Sequence, residues 1–83
     1  MDYIVYILES ESRGSYYVGS TADLAARLQR HNQGRSKYTK MGIPWKVVYT
    51  EGFATRSEAV RREQKIKRRK SRDFIEALVR TSR

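Results

Sequence analysis

The chain has 83 residues, 39% of them hydrophobic, and carries a formal charge of +9 from 18 Lys and Arg against 9 Asp and Glu. That length supports one modest core, so a single domain over residues 1–83 is expected, and the absence of cysteine excludes a disulfide framework, a thiolate zinc site and cysteine-nucleophile chemistry. The charge favours a polyanionic partner, nucleic acid ahead of an anionic membrane. The longest apolar run, Tyr3 to Leu8, is far too short to cross a bilayer and no basic leader precedes it, so the expectation is a soluble cytoplasmic protein with no membrane role.

Tyr3 to Leu8 (YIVYIL) is rich in β-branched and aromatic residues with few polar positions, which predicts a strand buried on both faces. The turn residues Ser12 to Ser15 lead to a second short run, Tyr16 to Val18, the return arm of a hairpin that Gly19 ends. Ser20 or Thr21 then caps a helix that has Asp23 in its first turn and runs to about Asn32. Leu24 and Leu28 form its core stripe, and Arg27 and His31, also four apart, converge on the adjoining flank.

The polar, glycine-containing stretch from Gln33 to Gly42 reads as a loop whose one aromatic is Tyr38, and Trp45 to Thr50 (WKVVYT) as the third strand. Trp45 and Phe53 are assigned to the core. A second helix is predicted from Thr55 or Ser57 to about Lys70, with Ala59, Val60 and Ile66 as its apolar stripe. Eight of the twelve residues from Arg61 to Arg72 are basic, and Glu63 is the lone acid among them. It falls inside the apolar stripe, so its carboxylate is directed towards the protein. Ser71 caps a last helix whose inner face is Phe74, Ile75, Leu78 and Val79, with Thr81 to Arg83 expected to fray. The order ββαβαα predicts an α+β fold in which a small three-stranded sheet with an antiparallel hairpin is flanked by helices.

Four stretches, in this order, resemble the successive motifs of the GIY-YIG nucleases: Ile4-Val5-Tyr6, Tyr17-Val18-Gly19, the helix from Asp23 through Arg27 to His31 and Asn32, and Glu63 to Lys67. Each is weak alone; their joint order and spacing carry the signal. The likeness spans roughly residues 3 to 70 and is nearest the small stand-alone bacterial members, with similarity also to the nuclease half of the bacterial excision-repair nuclease. Ile4 stands where the first motif has glycine, and the Asn that some repair-type members place after the second helix is absent.

The resemblance implies the GIY-YIG nuclease fold, and phosphodiester cleavage with Tyr6 and Tyr17 as the pair from which the general base is drawn. A phenol with a pKa of about 10 serves that purpose only if nearby cations lower it, and the sequence leaves open which tyrosine takes the proton. Arg27 offers a permanently charged planar fork for a non-bridging oxygen in the transition state. His31 can bond a tyrosine hydroxyl or relay a proton. Glu63 is the expected ligand of one Mg²⁺ or Mn²⁺, with water and substrate oxygens completing the octahedron. Lys37 and Tyr38 are added as phosphate contacts because similar enzymes place a Lys or Tyr there. Arg61, Arg62, Lys65, Arg68, Arg69 and Lys70 are expected to attract the backbone without reading sequence.

Each of these residues also has an ordinary structural role: core tyrosines, an Arg27–Glu63 ion pair, a histidine at a helix end, a solvated basic face. The function expected is a metal-dependent endonuclease acting on DNA, with RNA still open, selective for branched, nicked or damaged structures in repair or recombination. A protein partner could supply further specificity. The alternative is a non-catalytic DNA- or RNA-binding module using the basic helix 61–72. A helix lying on a membrane is disfavoured, since the basic stretch has too few large apolar residues to insert.

Overall fold

In the computed structural model, which describes residues 2–81, the apolar run near the start of the chain becomes the middle strand of a three-stranded sheet. Strand β1 (Tyr3–Ser10) pairs antiparallel with β2 (Tyr16–Thr21) and with β3 (Trp45–Phe53), giving the order β2-β1-β3. Its central position explains the lack of polar alternation: Val5, Tyr6, Ile7 and Leu8 are each at most 1% exposed. Successive side chains point to opposite faces, so one sheet carries two cores. Val5 and Ile7 pack with Val18, Ala59, Ile66 and Val79 beneath α2 (Arg56–Arg69) and α3 (Arg72–Thr81). Tyr6 and Leu8 pack with Trp45, Tyr17, Leu24 and Leu28 beneath α1 (Leu24–Asn32). The architecture is the α+β arrangement expected from the sequence.

Both outer strands are longer than their hydrophobic runs. Gly19 does not end β2: it pairs with Tyr6, and the ladder continues through Val5↔Ser20 to Ile4↔Thr21. Likewise β3 extends past Thr50, because Glu51, Gly52 and Phe53 pair with Val5, Ile4 and Tyr3. Ile4 and Val5 are thus paired on both sides and Tyr3 with β3 alone, a ladder that overrides the weak strand preference of Glu51 and Gly52.

Helix ends follow local chemistry with one change from expectation. The cap of α1 is Asp23 itself, whose side chain accepts from Ala26 N at 3.1 Å, while Thr21 Oγ1 accepts from Asp23 N. Thr55 caps α2 in a reciprocal box with Glu58, an arrangement worth about 1 kcal/mol. Ser71 Oγ accepts from Phe74 N at the start of α3, as expected. Val60, assigned to the apolar stripe of α2, is instead 38% exposed; Ala59 and Ile66 make the buried stripe. Lys40–Gly42 forms a single 3₁₀ turn within the expected loop. Thr81 is the last residue of α3 and its hydroxyl donates to Leu78 O; the remainder of the expected fraying segment, at 82 and 83, lies outside the described residues.

Lys70 ends α2 in the left-handed region, φ 46° and ψ 36°. Glycine is the usual residue there, and a lysine sits there at a cost of order 1 kcal/mol.

Candidate active site

The hairpin register places Tyr6, Tyr17 and Gly19 on the α1 side of the sheet, with Val18 and Ser20 on the α2 side. Because β2 is the edge strand, side chains from both layers can meet around it. The geometry that results begins at Gly19. A Cβ there would come within 2.5 Å of the Tyr6 hydroxyl oxygen and 2.6 Å of Tyr6 Cζ, so the glycine makes room for the Tyr6 phenol rather than a special backbone angle. The sequence shows Gly19 as a strand terminator and as the last residue of the second motif, with no packing role assigned to it.

Tyr6 Oη lies 3.2 Å from His31 Nε2, and His31 Nδ1 lies 2.7 Å from Thr39 Oγ1. All three residues are buried. A neutral imidazole has one donor and one acceptor nitrogen; when Nδ1–H donates to Thr39, Nε2 accepts from the Tyr6 hydroxyl, and when Thr39 donates, the direction of the chain reverses. Asn32, the next residue of α1, holds the start of β3 by accepting from Trp45 N at 2.6 Å and donating to Trp45 O at 3.0 Å. The Trp45 indole in turn donates to Thr39 O at 2.7 Å. Thr39 and Asn32 therefore fix the imidazole. Thr39 lacks any periodic or motif signal and was not foreseen; Asn32 was visible only as part of the helix motif.

Tyr17 sits beside this chain, its ring centroid 4.9 Å from that of His31 and 6.4 Å from those of Tyr6 and Trp45. Unlike Tyr6 it is only partly buried. Burial raises the Tyr6 pKa well above its ordinary value, helped by the Tyr17 phenol and the Glu63 carboxylate; Arg27 pulls it down but does not prevail. The expectation that neighbouring cations lower the phenol is thus reversed at Tyr6, because desolvation disfavours the phenolate more than one guanidinium favours it. Burial, with Arg27 and Arg30, also holds His31 below its ordinary range, so the imidazole is neutral near pH 7.

From the other layer, Glu63 reaches the same strand edge. Its Oε1 accepts from Ser20 Oγ at 2.6 Å, one residue beyond Gly19, and its Oε2 pairs with Lys67 Nζ at 2.7 Å. The carboxylate is 14% exposed, partly withdrawn as its place in the apolar stripe predicts. Lys67 Nζ also lies 5.8 Å from the Tyr17 ring centroid, tying the two halves together. Glu63 pairs with Lys67 rather than with Arg27. Arg27 lines a recess of about 260 Å³ with Ser20, Asp23 and Arg56. Its charge acts on both Tyr6 and His31. Lys67 was missed because it sits in a uniformly basic run, although its i,i+4 spacing from Glu63 is a readable pairing signal.

The remaining predicted contacts divide. Lys70 is near the site; it and Lys67 border a groove with Tyr17. Arg61, Lys65 and Arg68 lie across α2 from Glu63 by the helical repeat, and Arg61 and Lys65 border a separate recess with Phe53. Arg62 is engaged with Glu51 of β3 at 3.0 Å, and the Arg69 guanidinium lies 4.3 Å from the Phe74 ring centroid. Lys37 and Tyr38 are exposed, Tyr38 by 89%, so neither packs into the site.

Among the described residues no three of His, Cys, Asp and Glu cluster as a metal cage. The donor set at Glu63, one carboxylate with a hydroxyl beside it, still fits a hard cation of the Mg²⁺ type, which keeps most of its water and takes one or two protein carboxylates. Among the described residues no helix is long and apolar enough to cross a membrane.

A phenol–imidazole pair behind an edge glycine and a carboxylate from the opposite layer thus meet at one strand edge. The sequence profile of the GIY-YIG catalytic domain matches residues 2–75, so the chain belongs to that family, whose catalytic domains are those of nucleases. It is 44% identical over 72 residues to a UPF0213 protein of Streptococcus pneumoniae serotype 4, covering 84% of this chain and 73% of that protein. A UPF0213 protein of Staphylococcus aureus strain Mu3 is 46% identical over 66 residues, 78% of this chain and 79% of that one. The solution NMR structure of a UPF0213 protein from Bacillus halodurans superposes with a TM-score of 0.60 at 39% identity, covering 98% of this chain and 85% of the other. The nuclease expectation is met at the level of the family.

Proposed function

We propose that this chain is a Mg²⁺- or Mn²⁺-dependent endonuclease that cleaves phosphodiester bonds in DNA, working as one domain in the cytoplasm on branched, nicked or damaged substrates in repair or recombination. One observation carries the reading: the buried Tyr6–His31 contact and the Ser20–Glu63 contact lie on either side of the same two residues of β2. Tyr6, Tyr17, Arg27 and His31 are the catalytic side chains, and Glu63 is the metal ligand.

Tyr17 is the phenol that solvent reaches; as the phenolate, its own hydroxyl proton released to solvent beforehand, it orients the attacking water and takes that water's proton. Tyr6 stays protonated behind it and exchanges its hydrogen bond with the neutral His31, which Thr39 holds in one orientation. Arg27 grips a non-bridging oxygen as negative charge gathers on the phosphorus centre. A cation held by Glu63 supplies Lewis-acid polarisation and an acidified water when bound. Lys67, paired with Glu63 at 2.7 Å, would have to give up that pair for a cation to take the carboxylate.

The test is incubation of the purified protein with linear, branched and nicked DNA and with RNA, with and without Mg²⁺, beside Glu63→Gln. Metal-dependent nicking that disappears in the variant while binding persists is the expected result. Nicking that is unchanged in Glu63→Gln would remove the metal assignment.

A second reading, binding without catalysis, draws on the fact that both oxygens of Glu63 already have partners in Ser20 and Lys67. It predicts tight binding of DNA or RNA with no cleavage under any metal. The same incubation separates the two.

A further inference from the structure

A groove of about 390 Å³ runs between β2 and the junction of α2 with α3. Its floor is apolar, made of Val18, Ile66 and Ile75, and its rim carries Lys67 and Lys70. Tyr16 closes one side, with the Arg72 guanidinium 5.0 Å from its ring centroid. The groove is open to solvent, and its lining combines tyrosine rings, aliphatic side chains and lysines, the groups on which an unpaired base stacks beside a neutralised backbone. Tyr17 and Lys67 line the groove, and Lys67 pairs with Glu63, so whatever fills the groove adjoins the Glu63 carboxylate.

Lys70 adds an independent observation. It holds a left-handed backbone conformation that glycine or asparagine would adopt at less cost. A lysine there places an ammonium beside the groove, which a glycine could not. The α2–α3 junction thereby serves two purposes, turning the chain and presenting a cation.

We infer that the groove between β2 and the α2–α3 junction receives one unpaired nucleobase of the substrate strand, next to the phosphate at Glu63. This rests on the nuclease reading for the path of the strand. A fully paired base has both faces stacked and cannot enter, so substrates with an unpaired nucleotide beside the cleavage point are favoured. Apolar contact and stacking hold the base, while Lys67 and Lys70 neutralise its phosphates.

The experiment uses duplexes containing 2-aminopurine either paired with thymine or as a single-nucleotide bulge, as DNA and as RNA, with the full chain in metal-free buffer. The bulged form should bind about tenfold more tightly, as expected for one sequestered base, with the fluorophore quenched by contact. The DNA and RNA arms show which sugar the site takes. Ile75→Gln should abolish the preference without changing the charge. Lys70→Gly should fold at least as well as the parent, since it relieves the backbone, yet bind the bulge more weakly with a salt slope reduced by about one. Equal affinity for bulged and paired duplexes, or Lys70→Gly binding the bulge as the parent does, would overturn the inference. Preference for the bulge with no cleavage on adding Mg²⁺ would leave the groove assigned and remove the nuclease reading; cleavage without preference would do the reverse.

Discussion

Gly19→Ala is the sharpest perturbation the site offers, because the clash it creates is with one identified ring. The added Cβ would be 2.5 Å from Tyr6 Oη and 2.6 Å from Cζ, distances that no packed carbon tolerates, so the phenol must move or β2 must separate from β1. Overpacking of this kind costs about 1–3 kcal/mol, and the reduced backbone freedom of alanine in the unfolded chain offsets roughly 0.5–1 of that. A net loss of about 1–2 kcal/mol corresponds to a fall in Tm of roughly 5–15 °C for a domain of this size. Displacing Tyr6 also breaks its contact with His31, so cleavage should drop at least about tenfold on substrates the parent cuts. Circular dichroism melts and denaturant midpoints measure the first effect and a nicking assay the second. In a Tyr6→Phe background the hydroxyl half of the clash is gone, so the alanine should cost less, with a coupling of about 0.5–1 kcal/mol in the double-mutant cycle. A Gly19→Ala protein with an unchanged Tm and strictly additive behaviour with Tyr6→Phe would show that the glycine does not make room for that ring.

Other outcomes follow from the same geometry. Thr39→Val should destabilise the fold by about 1–2 kcal/mol, because it removes the buried partner of His31 Nδ1, and should lower the cleavage rate while leaving DNA affinity intact, which separate binding and single-turnover assays resolve. Replacing Arg61, Lys65 and Arg68 together by Ala should weaken binding uniformly and lower the salt slope by about three, with the rate at saturating DNA unchanged, since these residues face away from Glu63. On acidification, unfolded His31 takes up its proton near its ordinary pKa of about 6.5, whereas the folded imidazole resists. Stability is therefore full above that value and declines as pH falls from about 6.5 towards the lower folded pKa. Denaturant midpoints compared at about pH 7 and about pH 5 should reveal the decline, and His31→Gln should reduce it. In alkali the sign reverses through Tyr6, whose raised pKa makes stability fall once the unfolded phenol begins to ionise above about 10.

Much of this arrangement could be read from residue spacing. The apolar run of β1 announced a strand covered on both sides. The four-residue steps from Leu24 to Leu28 and from Arg27 to His31 described α1 and the flank that carries Arg27 and His31. Glu63 stood out as a carboxylate in an apolar stripe. What escaped was set by contacts distant in sequence. Glu51 and Gly52 become strand only because β1 offers them a ladder, and Thr39 matters only because a loop folds back over the imidazole. Ser20, considered as a helix cap, instead bonds the carboxylate 43 positions away. The basic run could not be divided by composition, since charge alone does not say which lysine faces the phenol and which faces water. The upward shift of Tyr6 is likewise a property of burial that no local pattern encodes.

The edge position of β2 has a consequence for how activity is linked to folding. Alternation along that strand sends Tyr17 to one layer and Ser20 to the other, so a hairpin mispaired by a single step would exchange their sides wholesale. Such a slip would take Val18 out of the core under α2 and Tyr17 away from His31, so packing and site would be lost together. Correct alignment of β1 with β2 is therefore a condition for assembling the candidate site, and the same condition that buries Val18 in the core.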